Sequence, residues 1–143
     1  MSKNETLQNP NTHPLEKSTS ERDIAFLINE LGDPNGSKRQ HAREALIAIG
    51  TPAVHDLIVA LSNPNDQVRW EAAKSLYDIR DIAAAPALVE LLEDENIGVR
   101  WAASEALIDL GQAAVPPILE ALWKRFDSVW LREGAHHVLH VLK

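Results

Sequence analysis

The sequence predicts an all-α protein built from four consecutive helical hairpins, and three observations carry this prediction. A 13-residue segment recurs four times, a second apolar-periodic segment precedes each copy, and turn-forming residues separate the two. Self-similarity at a nearly fixed period indicates an array of one unit, in which each unit buries its apolar face against its neighbours.

The recurring segment predicts the second helix of each hairpin. VRWEAAKSLYDIR (68–80) matches VRWAASEALIDLG (99–111) at an offset of 31 and KRQHAREALIAIG (38–50) at an offset of 30. LREGAHHVLHVLK (131–143) is the fourth copy, offset by 32 from the third. The histidine-rich stretch REGAHHVLH is therefore one copy of the repeated unit and not an isolated motif.

The segment before each copy predicts a shorter first helix. These segments are IAFLINEL (24–31), VHDLIVAL (54–61), APALVELL (85–92) and VPPILEAL (115–122). Pro52, Pro86, Pro116 and Pro117 fall at or near their first turns, where the missing N–H of proline is tolerated. Strings such as GDPNGS and SNPND form turns between paired helices. The repeats span about 21–50, 51–80, 81–111 and 112–143.

The first twenty residues predict a disordered N-terminal tail. They are rich in Asn, Ser, Thr and Pro and have no apolar periodicity. We expect order to begin at Ser20, because SERD (20–23) combines a capping serine with an acidic residue three positions later, a variant of the capping box.

Composition and charge restrict the function. The 143 residues include no cysteine, which excludes disulfides, thiolate nucleophiles and cysteine-ligated zinc. Neither a membrane-length apolar run nor a secretory h-region is present, so we expect a cytoplasmic protein without membrane contact. The net charge is −7, and residues 51–112 carry all of it, with four basic and eleven acidic groups. Such a surface repels phosphate backbones, so nucleic acid is not an expected partner.

The hairpins resemble the HEAT-like repeats of the phycobilin-lyase type, which read roughly AVPALIEAL, an acidic turn, then VRxxAAxALGxIG. The resemblance covers about residues 21–143 and implies an armadillo-like α-solenoid whose second helices line a concave wall. It also implies that an Asp or Asn in the turn, six residues before an Arg, links neighbouring repeats. Asp33 with Arg39, Asn63 with Arg69 and Asp94 with Arg100 keep this spacing. The fourth repeat departs from it, because Asp127 lies only five residues before Arg132 in a longer turn.

Helical spacing divides the second helix of each repeat into two faces. In the second repeat the core face contains Val68, Ala72, Ser75, Leu76 and Ile79. The opposite face contains Trp70, Ala73, Lys74 and Tyr77, and the corresponding positions are Gln40, Arg43, Glu44 and Ile47 in the first repeat, Trp101, Ser104, Glu105 and Ile108 in the third, and Glu133, His136, His137 and His140 in the fourth. If the second helices line the inner wall, this opposite face borders the groove.

Two tryptophans in equivalent positions of adjacent repeats predict a binding surface on that face. Trp70 and Trp101 have the character of interaction hot spots, although they also fit mutual packing, with each ring covering the next repeat. The expected partner-binding set on the concave face is Trp70, Lys74, Tyr77, Trp101, Glu105, Ile108, His136, His137 and His140.

The histidine stripe allows three interpretations. It is a solvated polar face, a partner contact, or a metal site in which His136 with His140, or Glu133 with His137, supplies two ligands from one helical turn. No third or fourth ligand is evident, so no metal and no cofactor are expected. The His-Glu dipeptides with which the deoxyhypusine hydroxylases, a related family with HEAT-like repeats, hold iron are absent.

No catalytic signature emerges from the sequence. There is no P-loop, no GxGxxG, no GxSxG elbow, and no Ser, His and Asp set singled out by spacing. We therefore expect a non-enzymatic protein-binding module or scaffold. The alternative is an accessory subunit of a bilin lyase or a similar cofactor-attaching enzyme, and a HEAT-fold DNA glycosylase is disfavoured by the acidic middle. The fourth repeat lacks a polar cap around Val141 and Leu142, which predicts a partly exposed apolar edge, either used for weak self-association through this repeat or left by a truncation.

Overall fold

Eight α-helices form the part of the chain that the computed structural model describes, residues 14–143. They are α1 Pro14–Glu30, α2 Gly36–Ile49, α3 Val54–Ala60, α4 Asp66–Ile79, α5 Ala85–Glu90, α6 Ile97–Leu110, α7 Val115–Lys124 and α8 Val129–Val141. Short 3-10 turns at Thr51–Ala53, Ile82–Ala84, Leu91–Glu93 and Gly111–Ala114 connect or extend them. The prediction of four helical hairpins is confirmed, and the described residues contain no strand.

The first helix differs from the expectation at its start. Helix α1 begins at Pro14, so Ser20 lies inside the helix instead of capping it. Residues 14–20, which we expected in the disordered tail, are therefore helical, because a proline at the first helical position is an alternative start signal. The rest of the expected tail, residues 1–13, lies outside the described residues.

The hairpins stack side by side into a helical solenoid with two layers. The second helices α2, α4, α6 and α8 pack on one another in chain order, while α1 packs on α3 and α5 on α7 in the other layer. One continuous core fills the space between the layers. Its largest fully buried side chains include Leu31, Leu46, Leu57, Leu76, Leu88, Leu107, Ile118 and Leu131.

Asparagines start the second helices of the first three repeats. Asn35, Asn65 and Asn96 each accept a hydrogen bond on the side-chain oxygen from the backbone N–H two residues later, at 2.8–2.9 Å. This bond satisfies one of the free N–H groups of the first helical turn. In the fourth repeat Ser128 takes this role for α8 and accepts from the Leu131 N–H. The caps fix where each second helix begins and hence the register between repeats.

The ends of these helices use positive φ angles. Gly50 and Gly111, with φ of 71° and 66° and ψ near −135°, follow α2 and α6 in a conformation that side chains disfavour. Arg80 occupies the corresponding position after α4 and adopts the left-handed helical region instead, with φ 62° and ψ 32°. Its side chain forms an ion pair with Asp109 of the next repeat, at 2.6 Å.

Candidate functional site

An arginine near the start of each second helix binds the turn of its own repeat. Arg39, Arg69, Arg100 and Arg132 each donate from Nη1 to the carbonyl oxygen six residues earlier, at 2.7–2.8 Å. In the fourth repeat that carbonyl belongs to Phe126. This bond is therefore kept in all four repeats, although the acidic residue of the fourth turn is displaced by one position.

The same arginine also links the second repeat to the third. Arg69, which is buried, donates from Nε to Asp94 Oδ2 at 2.8 Å and from Nη2 to Asp94 Oδ1 at 3.1 Å. The hydrogen bond with Asp94 raises the pKa of the Arg69 guanidinium. The resemblance implies a link between repeats, and the structure places it here. The Asp94 carboxylate binds the arginine of the preceding repeat, while its carbonyl accepts from Arg100 of its own repeat.

A different carboxylate links the first repeat to the second, because the turn residue there is the neutral Asn63. Glu71 of α4 is buried and accepts a hydrogen bond from Arg43 Nη1 at 2.6 Å. Arg39 Nε lies 3.4 Å from the other Glu71 oxygen, an ion pair without good hydrogen-bond geometry. Sequence reasoning missed this role of Glu71, since its position carries His41 in the first repeat and Ala102 in the third.

The equivalent arginine at the junction between the third and fourth repeats, Arg100, has a different kind of partner. Within the described part of the chain, no Asp or Glu side chain lies at salt-bridge distance from Arg100. The Arg100 guanidinium lies instead over the ring of Trp130, 4.6 Å from its centroid. Arg125 holds this junction from the other layer through hydrogen bonds to both Glu90 oxygens at 2.6 and 2.9 Å, which raise the pKa of Arg125.

The outer surface of the α2, α4, α6 and α8 layer, here called the second-helix face, carries the expected partner-binding residues. Trp70 is half-buried and packs against the core. The cations of Arg43 and Lys74 each lie 6.0 Å from its ring centroid, and Lys74 also lies 5.1 Å from that of Tyr77. A Cβ built on Gly98 would lie 3.9 Å from Trp70 Cδ1, so this ring occupies a slot beside α6.

Trp101 is far more exposed than Trp70, although the two positions are equivalent. It is 60% exposed and stacks on His137 of α8, with ring centroids 5.6 Å apart. The position in the fourth repeat that corresponds to Gly98 is Trp130. Trp101 therefore has a tryptophan, and not a glycine, at the corresponding position of the following helix, and both indoles are exposed.

The remaining residues of the expected set are spread along the same face. Glu105, Ile108 and His137 are half-buried, whereas His136 and His140 are exposed, with ring centroids 6.0 Å apart. Among the residues that the structure describes, no three His, Asp or Glu side chains converge as metal ligands.

Two positions expected on the exposed side were assigned wrongly. Ala73 and Ser104 are buried, at 0% and 5% exposure. Each middle helix has a second helix on both sides, so its buried arc is wider than that of a helix with a single partner. The two-face division derived from one hairpin could not include these lateral contacts.

A cavity of about 280 Å³ opens between α6 and α8, and sequence reasoning did not anticipate it. Its walls include Ile97, Arg100, Trp101, Trp130, Glu133 and His137. Ile97 and Trp130 are 75% and 43% exposed. They were missed because the sequence around them has the character of turns. Ile97 lies one turn before Trp101 on α6, and the stacking of the fourth repeat on the third brings Trp130 beside them. We call this cavity the junction pocket.

Comparison with known proteins identifies the repeats. The family model for HEAT repeats matches residues 24–94 and 78–139, which together cover most of the chain. The chain belongs to the HEAT-repeat family. A search of curated protein sequences gave no match.

Solved structures with similar folds include two natural proteins and one engineered protein. The complex of CpcE and CpcF of phycocyanin lyase from Nostoc sp. PCC7120 matches with a TM-score of 0.65 and 25% identity, over 85% of this chain and 79% of that one. Human deoxyhypusine hydroxylase, in complex with glycerol, matches with a TM-score of 0.60 and 25% identity over 85% of this chain. The HEAT-repeat chain spans only 43% of that enzyme. An engineered protein matches with a TM-score of 0.54 at 21% identity, a likeness of fold alone.

None of the helices described here is both long and apolar enough to cross a membrane.

Proposed function

We propose that this HEAT-repeat protein is a non-catalytic scaffold that binds a protein partner through the second-helix face, centred on the junction pocket. One observation carries the proposal. Trp101 and Trp130, 60% and 43% exposed, border the same cavity on adjacent helices. Large aromatic side chains at the rim of a cavity are the groups that most often dominate the free energy of protein binding.

The helices that carry these tryptophans support binding without a large entropic cost. Helices α6 and α8 have capped first turns, and an arginine holds each of them to its own turn at 2.7–2.8 Å. Side chains fixed on such a backbone lose little further freedom on association. This favours direct docking of a partner over folding of a flexible segment.

Parallel affinity captures test the proposal. The wild-type protein, Trp101→Ala and Ile82→Ala serve as baits in the same source lysate, with quantitative mass spectrometry of the bound proteins. Ile82 is the control, because it is 65% exposed and does not line the junction pocket. We expect the recovery of one partner to fall by roughly tenfold or more with Trp101→Ala and to stay unchanged with Ile82→Ala. Equal recovery with all three baits would contradict the proposal.

A second candidate function follows from the likeness to the CpcE and CpcF complex. We propose as the alternative that the chain is an accessory subunit of a bilin lyase, paired with a second HEAT-repeat chain. The structural match at 25% identity to a chain from the complex of CpcE and CpcF of phycocyanin lyase favours this alternative. Titration with a free bilin tests it through the visible absorbance band. A red shift and sharpening that saturate with protein would support this role, and an unchanged spectrum at high protein concentration would reject bilin binding by the isolated chain.

We extend the main proposal with weak self-association through the C-terminal repeat. Trp123, Phe126 and Val141 of that repeat are 87%, 72% and 51% exposed. Sedimentation velocity over a hundredfold concentration range tests this proposal. Concentration-dependent dimers that disappear in the Trp123→Ala, Phe126→Ala double variant would support it, and a monomer at every concentration would reject it.

A further inference from the structure

The three junctions between repeats use three different partners for equivalent arginines. Arg39 faces Glu71, and Arg69 forms a two-bond fork on Asp94. Arg100 has the Trp130 ring beside it and no carboxylate among the residues described. The Nε and Nη2 atoms that hold Asp94 in the second repeat make no hydrogen bond to a described residue in the third, where Nη1 alone donates within this part of the chain. Among the described residues, Arg100 at the third junction therefore lacks the carboxylate partner that Arg69 has at the second junction.

The fourth turn explains this difference. The residue six positions before the arginine supplies both groups in the third repeat, since Asp94 gives its carbonyl to Arg100 and its carboxylate to Arg69. In the fourth repeat Phe126 occupies that position and supplies only the carbonyl. The acidic residue, Asp127, comes one position later and is exposed. The hydrogen bond from the arginine to the turn carbonyl is therefore kept in the fourth repeat, whereas the carboxylate contact to the arginine of the preceding repeat is lost.

Apolar side chains of the junction pocket surround the guanidinium group of Arg100. Arg100 lines the cavity together with Trp101, Trp130 and Ile97. A guanidinium that stacks on an aromatic ring keeps its in-plane N–H groups available for a carboxylate. Glu133 also lines the cavity and would repel a bound carboxylate, but its side chain is exposed to solvent, so water screens this repulsion.

We propose that the junction pocket binds an acidic peptide segment of a protein partner. An Asp or Glu carboxylate of the partner takes the place on Arg100 that Asp94 takes on Arg69, and a neighbouring apolar side chain lies against Trp101 and Trp130. This inference rests on the proposed scaffold function and names the chemistry of its partner. The occupant is inferred from the second junction, where the same fork already holds a carboxylate.

Two peptides that differ in one group test the inference. They are Ac-Phe-Asp-NH2 and Ac-Phe-Asn-NH2, titrated into 15N-labelled protein while the indole N–H signals of Trp101 and Trp130 and the Nε–H signal of Arg100 are followed. We expect saturable shifts of all three signals with the Asp peptide and affinity lower by roughly tenfold or more with the Asn peptide. Equal affinity of the two peptides would overturn the inference.

Three variants separate a binding role of Arg100 from a structural one. Arg100→Lys keeps the charge but removes the fork, and we expect roughly tenfold weaker binding of the Asp peptide. Glu133→Gln removes the like charge and should tighten binding by about twofold to fivefold. Phe126→Asp places a carboxylate where Asp94 stands one repeat earlier. This variant should raise the melting temperature and abolish binding of the Asp peptide, because the introduced carboxylate then pairs with the Nε and Nη2 groups of Arg100.

Other outcomes also decide the inference. Unchanged peptide binding in Phe126→Asp, with the melting temperature raised, would overturn it. Binding of Ac-Phe-phosphoserine-NH2 that is more than roughly tenfold tighter than that of the Asp peptide would make the pocket a phosphate site and also overturn it. If the peptides fail to discriminate while Trp101→Ala still loses the captured partner, the carboxylate inference fails and the scaffold proposal stands.

Discussion

At the scale of single residues, two tryptophans in equivalent positions have different environments. Trp70 packs against the core beside Gly98, while Trp101 is mostly exposed and borders a cavity together with Trp130. The interpretations that the sequence left open, binding and mutual packing, therefore each gain support from one of the two residues. Trp70 is mainly a packing residue, and Trp101 is the better candidate for an anchor.

This difference predicts unequal effects on stability. Trp70→Ala should lower the free energy of unfolding by about 2 kcal/mol, because it removes a half-buried indole and its two cation contacts. Trp101→Ala should cost less than about 1 kcal/mol, because most of the ring is already in water. Urea denaturation of both variants measures the two values. Equal losses would contradict the assignment of different roles.

The Arg69 and Asp94 pair gives a second prediction at this scale. Asp94→Asn should destabilise by about 2 kcal/mol, because it leaves a buried guanidinium without its full charge partner. The asparagine retains an oxygen for the Asn96 N–H, as Asn63 does for Asn65 in the preceding turn. The matched control is Asp33→Asn, which should stay within about 0.5 kcal/mol, since the Asp33 ion pair found among the described residues is a loose one with Lys38 at 3.6 Å and asparagine keeps an oxygen for the Asn35 N–H. A comparable loss in the control would mean that the turn, and not the fork, accounts for the effect.

The raised pKa of Arg69 determines how the stabilisation from the Arg69 and Asp94 pair changes at high pH. Its folded-state pKa lies above the unfolded value, so the stabilisation is complete below the unfolded pKa and is lost only as pH rises through the folded one. Both values lie far above neutrality. The difference in unfolding free energy between wild type and Asp94→Asn should therefore be constant from about pH 6 to pH 9. A difference that falls steadily over this range would contradict an arginine as the partner.

At the scale of helices, the ends of α2 and α6 depend on backbone conformation. Gly111 has open space around its Cα, since a Cβ built there meets no atom within 4 Å. Gly111→Ala should nevertheless cost about 1–3 kcal/mol, because φ of 66° with ψ of −137° is disfavoured for any side chain. Gly36→Ala, in the first turn of α2, is the control and should be neutral or slightly stabilising. Thermal unfolding compares them, and a neutral Gly111→Ala would show that the helix end rearranges freely.

At the scale of the whole molecule, the linear stacking of repeats predicts uneven cooperativity. Helix α4 has a second helix on either side, whereas α8 has one. Leu76→Ala and Leu131→Ala remove equally buried side chains and should each cost about 3 kcal/mol locally. Hydrogen exchange should show loss of protection across the array for Leu76→Ala but mainly in α7 and α8 for Leu131→Ala. Identical exchange patterns would indicate one cooperative unit.

The sequence predicted the hairpins because they depend on local spacing within one repeat, and the same spacing could not distinguish half-buried Trp70 from exposed Trp101. It did not predict the roles of Glu71 and Trp130, because those depend on how adjacent repeats meet. The start of α1 was placed six residues late, since two helix-start signals, Pro14 and Ser20, compete in the same stretch. The junction pocket was missed for the same reason as Trp130, as its walls come from two repeats and no single copy contains it.

The displaced acidic residue of the fourth turn also bears on how the array can be lengthened. If a second copy of residues 81–111 were inserted after the third repeat, the aspartate of the new copy would fill the fork of the original Arg100. The arginine of the inserted copy would then face Trp130 with its fork free. The pocket would thus move one repeat along the chain without any change in its composition. The proposed binding site therefore belongs to the boundary between two unlike copies, and duplication of one repeat would be enough to relocate it.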